Sequence, residues 1–171
     1  GIGRTGSLFA YEQEGVEPDI MTLAKGLAGG VPIGAVMARE DIAAHLVKGD
    51  HGSTFGGNAL AAAAGYATVK HVIDEDLSAA ARNASERLVS RLRSMEDRLA
   101  VVNEVRGRGL LIAVQFTRDC ASDVVDACRR RGLLANNVRP NAVRLMPPLN
   151  VSDDEIDRAC DILEEAIVDA T

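Results

Sequence analysis

The chain has 171 residues, 47 % of them apolar and only 3 % aromatic, with no Trp, and carries 25 acidic against 19 basic side chains for a net charge of −6. This composition suits a folded protein with a core of Ala, Val, Leu and Ile and excludes disorder as the main state. Scarce aromatics and an acidic balance exclude a base-stacking nucleic-acid platform, and no apolar run is long enough for a membrane span.

The opening Gly1-Ile2-Gly3-Arg4-Thr5-Gly6 matches G-x-G-x-x-G by letter. A dinucleotide fingerprint needs a strand before it and a helix after it. Here nothing precedes it, and Ser7-Leu8-Phe9-Ala10 does not open a helix. A nucleotide-binding protein, the competing reading of this stretch, would need a measurable nucleotide affinity, and none is expected. The absence of an initiator Met makes the chain read as a piece of a longer protein. Residues 19–24 and 33–38 are short apolar runs bounded by Gly and Pro, the pattern of buried strands. Lys25 stands at the end of the first, in a connection carrying Gly26, Gly29, Gly30 and Pro32. Residues 49–57 form a second glycine-rich loop, and the alanine-rich stretch 58–74 is helical in composition.

Leu77, Ala81, Ala84, Leu88, Leu92, Met95 and Leu99 then step at helical spacing, the stripe of a packing helix. A domain boundary is expected near residue 76. Residues 101–105 and 110–116 read as strands joined by Arg106-Gly107-Arg108-Gly109. Residues 123–131 read as a helix stopped at Gly132, and Arg129-Arg130-Arg131 as its solvated end, where cations suit the helix dipole. Two further strands, 133–138 and 142–146, flank Pro140, and Pro147-Pro148 stops the second. Ser152-Asp153-Asp154-Glu155 has capping-box spacing, and Ile156, Ala159, Cys160, Leu163 and Ile167 line the helix that follows. Cys120, Cys128 and Cys160 fit neither a metal-ligand spacing nor a disulfide framework, and read as buried thiols of a reducing, cytoplasmic compartment.

Only three lysines are present, Lys25, Lys48 and Lys70. A lysine between a buried strand and a glycine turn is expected to be partly desolvated, with the lowered pKa of a carbonyl nucleophile. Gly26, Gly29 and Gly30 would let a bulky group approach the backbone. Ser53 and Thr54 offer hydroxyl and amide donors to a phosphate. An amine beside a phosphate cradle suggests a phosphorylated aldehyde, pyridoxal phosphate; a surface lysine beside ordinary turns is the alternative.

Several ordered motifs sharpen this. Gly3-Arg4-Thr5-Gly6, Phe9-Ala10-Tyr11-Glu12, Val16-Glu17-Pro18-Asp19-Ile20, Leu23-Ala24-Lys25-Gly26-Leu27, the loop from Gly49 through Ser53-Thr54-Phe55-Gly56-Gly57 to Asn58, and Val143-Arg144-Leu145-Met146-Pro147-Pro148-Leu149 resemble the class III pyridoxal-phosphate aminotransferases over essentially the whole chain. The resemblance implies an α/β fold-type-I transferase. Residues 1–75 would be the end of the large cofactor domain and 76–171 the C-terminal α/β small domain. It implies that Lys25 is the Schiff-base lysine and the proton carrier. Thr54, helped by Ser53, would bind cofactor phosphate across the interface of a homodimer. Arg144 would clamp the substrate α-carboxylate, for which a guanidinium fork is well shaped. The substrates would be an amino acid and a 2-oxo acid. The family members most similar in wording move the terminal amino group of N2-acetylornithine to 2-oxoglutarate, in arginine synthesis; ornithine, succinylated, carrier-bound and 4-aminobutyrate donors are the neighbours. Ala59 stands where the family commonly has Pro. The family's acidic partner for the pyridine nitrogen lies upstream of Gly1, so this chain alone is expected to be nearly inactive. A reading of another class is a non-catalytic dimerisation or regulatory module.

Overall fold

A computed structural model describes residues 1–171. The chain divides into two compact units, one made of residues 1–3 and 7–77, the other of residues 4–6 and 78–171.

In the first unit, β1 (Ile20–Leu23) and β2 (Ala35–Ala38) form an antiparallel ribbon with Ile20 opposite Ala38 and Leu23 opposite Ala35. Their apolar residues were expected to be buried, yet Ile20 is 55 % and Val36 68 % exposed. The strands pair only with each other, and a lone two-stranded ribbon covers neither of its faces. A single turn of helix, α1 (Glu40–Ala43), carries no periodic signal in the sequence. The long element is α2 (Ala59–Asp74). Asn58 caps it: its Oδ1 accepts from the Ala61 N–H at 2.9 Å, satisfying one of the four orphan donors of the first turn.

The second unit is an antiparallel sheet of β3 (Val102–Arg108), β4 (Leu111–Phe116), β5 (Asn136–Arg139) and β6 (Ala142–Leu145), in the order β3-β4-β6-β5. It shares one core with α3 (Leu77–Arg98), α4 (Ala121–Arg130) and α5 (Asp153–Ala170). The α3 stripe is buried at Ala81, Ala84, Leu88, Leu92 and Met95, and α5 buries Ile156, Cys160, Leu163, Ala166 and Ile167. Along β4, Ile112, Val114 and Phe116 are buried while Leu111, Ala113 and Gln115 face away from the core. Each fully buried Leu, Ile or Phe contributes about 1.5–3 kcal/mol. The expected box at Ser152 forms, with Ser152 Oγ accepting from the Glu155 N–H and Glu155 Oε2 accepting from the Ser152 N–H at 2.9 Å.

Two sequence expectations shift. The strand expected to end near Val105 runs on to Arg108. Gly107 permits this: a Cβ there would lie 2.1 Å from the Leu111 carbonyl oxygen, so only glycine lets the hairpin strands approach so closely. The turn is left to Gly109, at φ +53°. The strand expected from residue 133 begins only at Asn136, because the Leu133 N–H turns back to the Cys128 carbonyl to close α4. All three cysteines are buried free thiols. Burial pushes the Cys160 thiol up to about 11, so it stays protonated and inert at neutral pH.

Candidate active site

Lys25 follows β1 after the single residue Ala24 and adopts φ +55°, one of two non-glycine residues in the chain with positive φ. An L-residue held in the left-handed region costs about 1–2 kcal/mol, and such strain persists where the surroundings enforce it. The enforcement is visible. Residues Lys25–Ala28 form a 3₁₀ turn whose Leu27 and Ala28 are buried. These two pack against α2 at Gly65, where an added Cβ would find the Leu27 carbonyl and Ala28 Cβ at ordinary contact distance. Gly29 ends the turn at φ +61° and meets Thr68 of α2: a Cβ there would stand 3.2 Å from Thr68 Oγ1. The need for glycine at 29 thus comes from helix packing, whereas Gly26 and Gly30 face open space.

The Lys25 side chain is exposed, not partly desolvated as the sequence suggested, since nothing in its unit covers the open ribbon. No hydrogen bond or ion pair engages its amine. Lys70, by contrast, is committed to Asp74 at 2.6 Å. Lys25 borders an open cavity of about 280 Å³ lined by Gly1, Ile2, Thr22, Leu23 and Ala24.

Ser53 and Thr54 lie in an exposed turn closed by the Gly56 N–H donating to the Ser53 carbonyl at 3.4 Å. A Cβ on Gly56 would stand 2.8 Å from Ser53 Cβ and Oγ, so the turn is tight enough to require glycine. Neither hydroxyl engages another protein group. Asn58 ties this turn to the helix: beyond its cap, its Nδ2 donates to the Phe55 carbonyl at 2.9 Å. Asn58 was not singled out as a site residue, although Asn before an alanine-rich run is a recognisable cap signal. Lys25 and the Ser53–Thr54 turn are therefore both mounted on α2, one at Gly65 and one at its first turn. At 1.5 Å per residue these supports are about 10 Å apart along the axis.

Arg144 lies in the second unit, on β6 between Ala113 of β4 and Asn136 of β5 in register. Its neighbour Val143 is fully buried, so alternation turns Arg144 to the opposite face. Its Nε is buried without a hydrogen-bond partner, an uncommon and unfavourable state. Arg87, Arg91, Arg98 and Arg131, in contrast, all sit in ion pairs. A guanidinium with an unanswered inner donor and a small alanine on one side suits an incoming carboxylate.

A model of the aminotransferase class-III family matches residues 1–167. The chain is 46 % identical over 167 residues to the acetylornithine aminotransferase of Caldanaerobacter subterraneus subsp. tengcongensis, covering 98 % of this chain and 42 % of that protein. It is 44 % identical over 169 residues to the acetylornithine aminotransferase of Methanothermobacter thermautotrophicus, covering 99 % and 43 %. Among solved structures, the acetylornithine aminotransferase of Elizabethkingia anophelis matches with TM-score 0.92 and 37 % identity over 99 % of this chain and 45 % of its own. The ornithine delta-aminotransferase of Plasmodium falciparum matches with TM-score 0.92 and 36 % identity over 98 % and 44 %. The chain spans about two-fifths of the length of the curated relatives it matches. The α/β architecture is that of the fold-type-I pyridoxal-phosphate transferases, and the chain belongs to the class-III aminotransferases, a pyridoxal-phosphate-dependent family.

Proposed function

We propose that the protein carrying this chain transfers the terminal amino group of N2-acetylornithine to 2-oxoglutarate, as a cytoplasmic homodimer with its active site at the interface. Residues 1–75 are the end of its large cofactor domain and 76–171 its small domain. The observation that carries this reading is Lys25: an unpaired, accessible amine on a left-handed backbone that packing on α2 enforces. An ordinary surface lysine has no use for that strain. Pyridoxal phosphate, when bound, supplies an aldehyde that condenses with amines and a ring that accepts electrons from the substrate carbon.

The chain's own residues do the rest. Lys25 holds the cofactor between turnovers. With the cofactor bound, the Lys25 amine would move a proton between the amino-bearing substrate carbon and the cofactor's C4′, a role worth about 10²–10⁴ in rate. Thr54 and Ser53 donate to the phosphate of the neighbouring subunit's cofactor, from a turn that Asn58 holds at the start of α2. Arg144 pairs with the substrate α-carboxylate and fixes which carbon meets Lys25.

Ornithine is the second reading for the donor, favoured by the resemblance to the Plasmodium falciparum ornithine delta-aminotransferase. Borohydride reduction of the whole holoprotein, followed by peptide mass mapping, tests the site. The cofactor mass is expected on Lys25; its appearance on Lys48 or Lys70 instead overturns the assignment. A donor panel then tests the substrate, and a higher kcat/KM for ornithine than for its acetyl form overturns the acetylornithine reading.

A further inference from the structure

Arg4 is far in sequence from every group it touches. Its Nη1 donates to the Leu110 carbonyl at 3.2 Å and also to the Pro147 carbonyl. In return the Leu110 N–H donates to the Arg4 carbonyl at 2.9 Å. Leu110 immediately precedes β4 and Pro147 lies just beyond the end of β6. The β4–β6 register sets Ile112 opposite Leu145 and Ala113 opposite Arg144. Continued outward, it sets Leu110 opposite Pro147. Proline has no N–H, so the ladder cannot close there. The missing proline N–H leaves the Leu110 carbonyl open, and the Leu110 N–H, turned to the Arg4 carbonyl, leaves the Pro147 carbonyl open; the guanidinium of Arg4 bridges the two.

We propose that Arg4 is a positioning residue for Arg144: by clamping the open end of the β4–β6 pair, it sets where the Arg144 guanidinium meets a substrate carboxylate. The proposal rests on the reading of Arg144 as the carboxylate-binding arginine. Arg144 is three residues from the clamped Pro147, near the end of a short ladder. The clamp has little play. Gly109 is at φ +53°, and a Cβ on it would lie 2.4 Å from the Arg4 carbonyl oxygen and 2.8 Å from Thr5 Cα. At the other end of the tripeptide, Arg82 Nη1 donates to the Gly6 carbonyl, and a Cβ on Gly6 would lie 2.6 Å from Arg82 Cγ. Burial pushes the Arg4 guanidinium down from its ordinary value, but arginine keeps its charge, and a charged donor makes the stronger hydrogen bond. With the clamp released, the end of β6 frays and Arg144 loses its fixed aim. Misplacement by about 1 Å is enough to cost a large factor in a bidentate contact.

The test is a double-mutant cycle in the whole holoprotein, with Arg4→Gln, Arg144→Gln and the pair. Two constants are read: the Kd for glutarate, a dicarboxylate that cannot react, by calorimetry, and the KM for the oxo-acid acceptor 2-oxoglutarate. Arg4→Gln is expected to raise both about tenfold, an effect of about 1.4 kcal/mol, while the absorbance of the bound cofactor stays unchanged. In the Arg144→Gln background the further effect of Arg4→Gln is expected to shrink to about twofold or less, the margin of simple additivity. If Arg4→Gln weakens glutarate by the same factor in both backgrounds, Arg4 is merely structural and the proposal fails while the Arg144 reading stands. If Arg144→Gln itself leaves glutarate binding unchanged, the carboxylate reading fails and takes the proposal with it. Should Arg4→Gln not fold, Arg4→Lys runs through the same cycle, since lysine keeps the charge but lacks the rigid planar guanidinium that fixes the donor directions; a coupled, intermediate loss supports the clamp and an additive one refutes it.

Discussion

Replacing Lys25 by Gly and, separately, by Ala isolates its backbone from its amine. Both changes delete the amine, so both are expected to lose about 10²–10⁴ in turnover of the whole protein, the ordinary share of a proton carrier. Their stabilities are expected to differ. At φ +55° an alanine bears the same left-handed strain as lysine, about 1–2 kcal/mol. Glycine bears none, but its unfolded chain is freer by about 0.4–1 kcal/mol. The difference spans about 0–1.6 kcal/mol and centres on about 0.8 kcal/mol in favour of Lys25→Gly over Lys25→Ala. Urea titrations of the two cofactor-free variants, compared at equal slope, read this directly as a shift of midpoint. An alanine variant as stable as the glycine variant, or more so, would refute the claim that the packing of Leu27 and Ala28 on α2 holds Lys25 in a strained backbone.

Two further expectations follow from single contacts. Asn58→Ala removes the α2 cap and the bond to the Phe55 carbonyl; a loss of about 1 kcal/mol in thermal or urea stability is expected, together with faster release of pyridoxal phosphate into inorganic phosphate during dialysis, and retention at the native rate counts against a phosphate role for the Ser53–Thr54 turn. Asp157 accepts from Arg87 and Arg91 across the α3–α5 seam, and its hydrogen bond to Arg87, then the charges of Arg87 and Arg91, hold its carboxyl below the usual range. A carboxyl depressed in the folded state stabilises above its unfolded pKa, near ~3.9, and loses that contribution as pH falls through the folded value. Asp157→Asn is therefore expected to flatten the fall in urea midpoint between pH 5 and about 3, and to reduce its sensitivity to added salt; an unchanged acid slope sinks the assignment.

What the sequence disclosed and what it hid divide along the range of the interaction. The helices α3 and α5 were legible because their buried stripes repeat at helical spacing and because Ser152 and Glu155 cap α5 within four residues. The Lys25 and Ser53–Thr54 motifs were legible because lysines are few and their surroundings are rich in glycine. The exposure of β1 and β2 was not legible, because an apolar run signals a burial-prone strand without saying what covers it. The continuation of β3 to Arg108 depends on Gly107 approaching Leu111 and Ile112 across the hairpin, which the order of letters does not display. Arg4 was hidden more deeply. Its partners are 106 and 143 residues away, and the letters around it imitate a nucleotide fingerprint.

Two of the positions that break a local rule, Lys25 and Arg144, are the two to which the proposed function assigns chemistry. A lysine with positive φ and an arginine with an unanswered buried Nε are each locally unfavourable. Each is set on a rigid support: Lys25 on α2 through Leu27, Ala28 and the Gly29–Thr68 contact, and Arg144 on the β4–β6 ladder through Val143 and the Arg4 clamp. Strain held by packing, and an unpaired donor held by a sheet, are the conditions under which a side chain is aimed at a ligand before the ligand arrives. The paired arginines of the α3–α5 seam show the opposite arrangement, every charge answered within the fold. The proposed roles rest on that contrast: Arg144 Nε is the one buried side-chain donor without a partner, and the Arg4 guanidinium donates to two backbone carbonyls at the end of the same ladder.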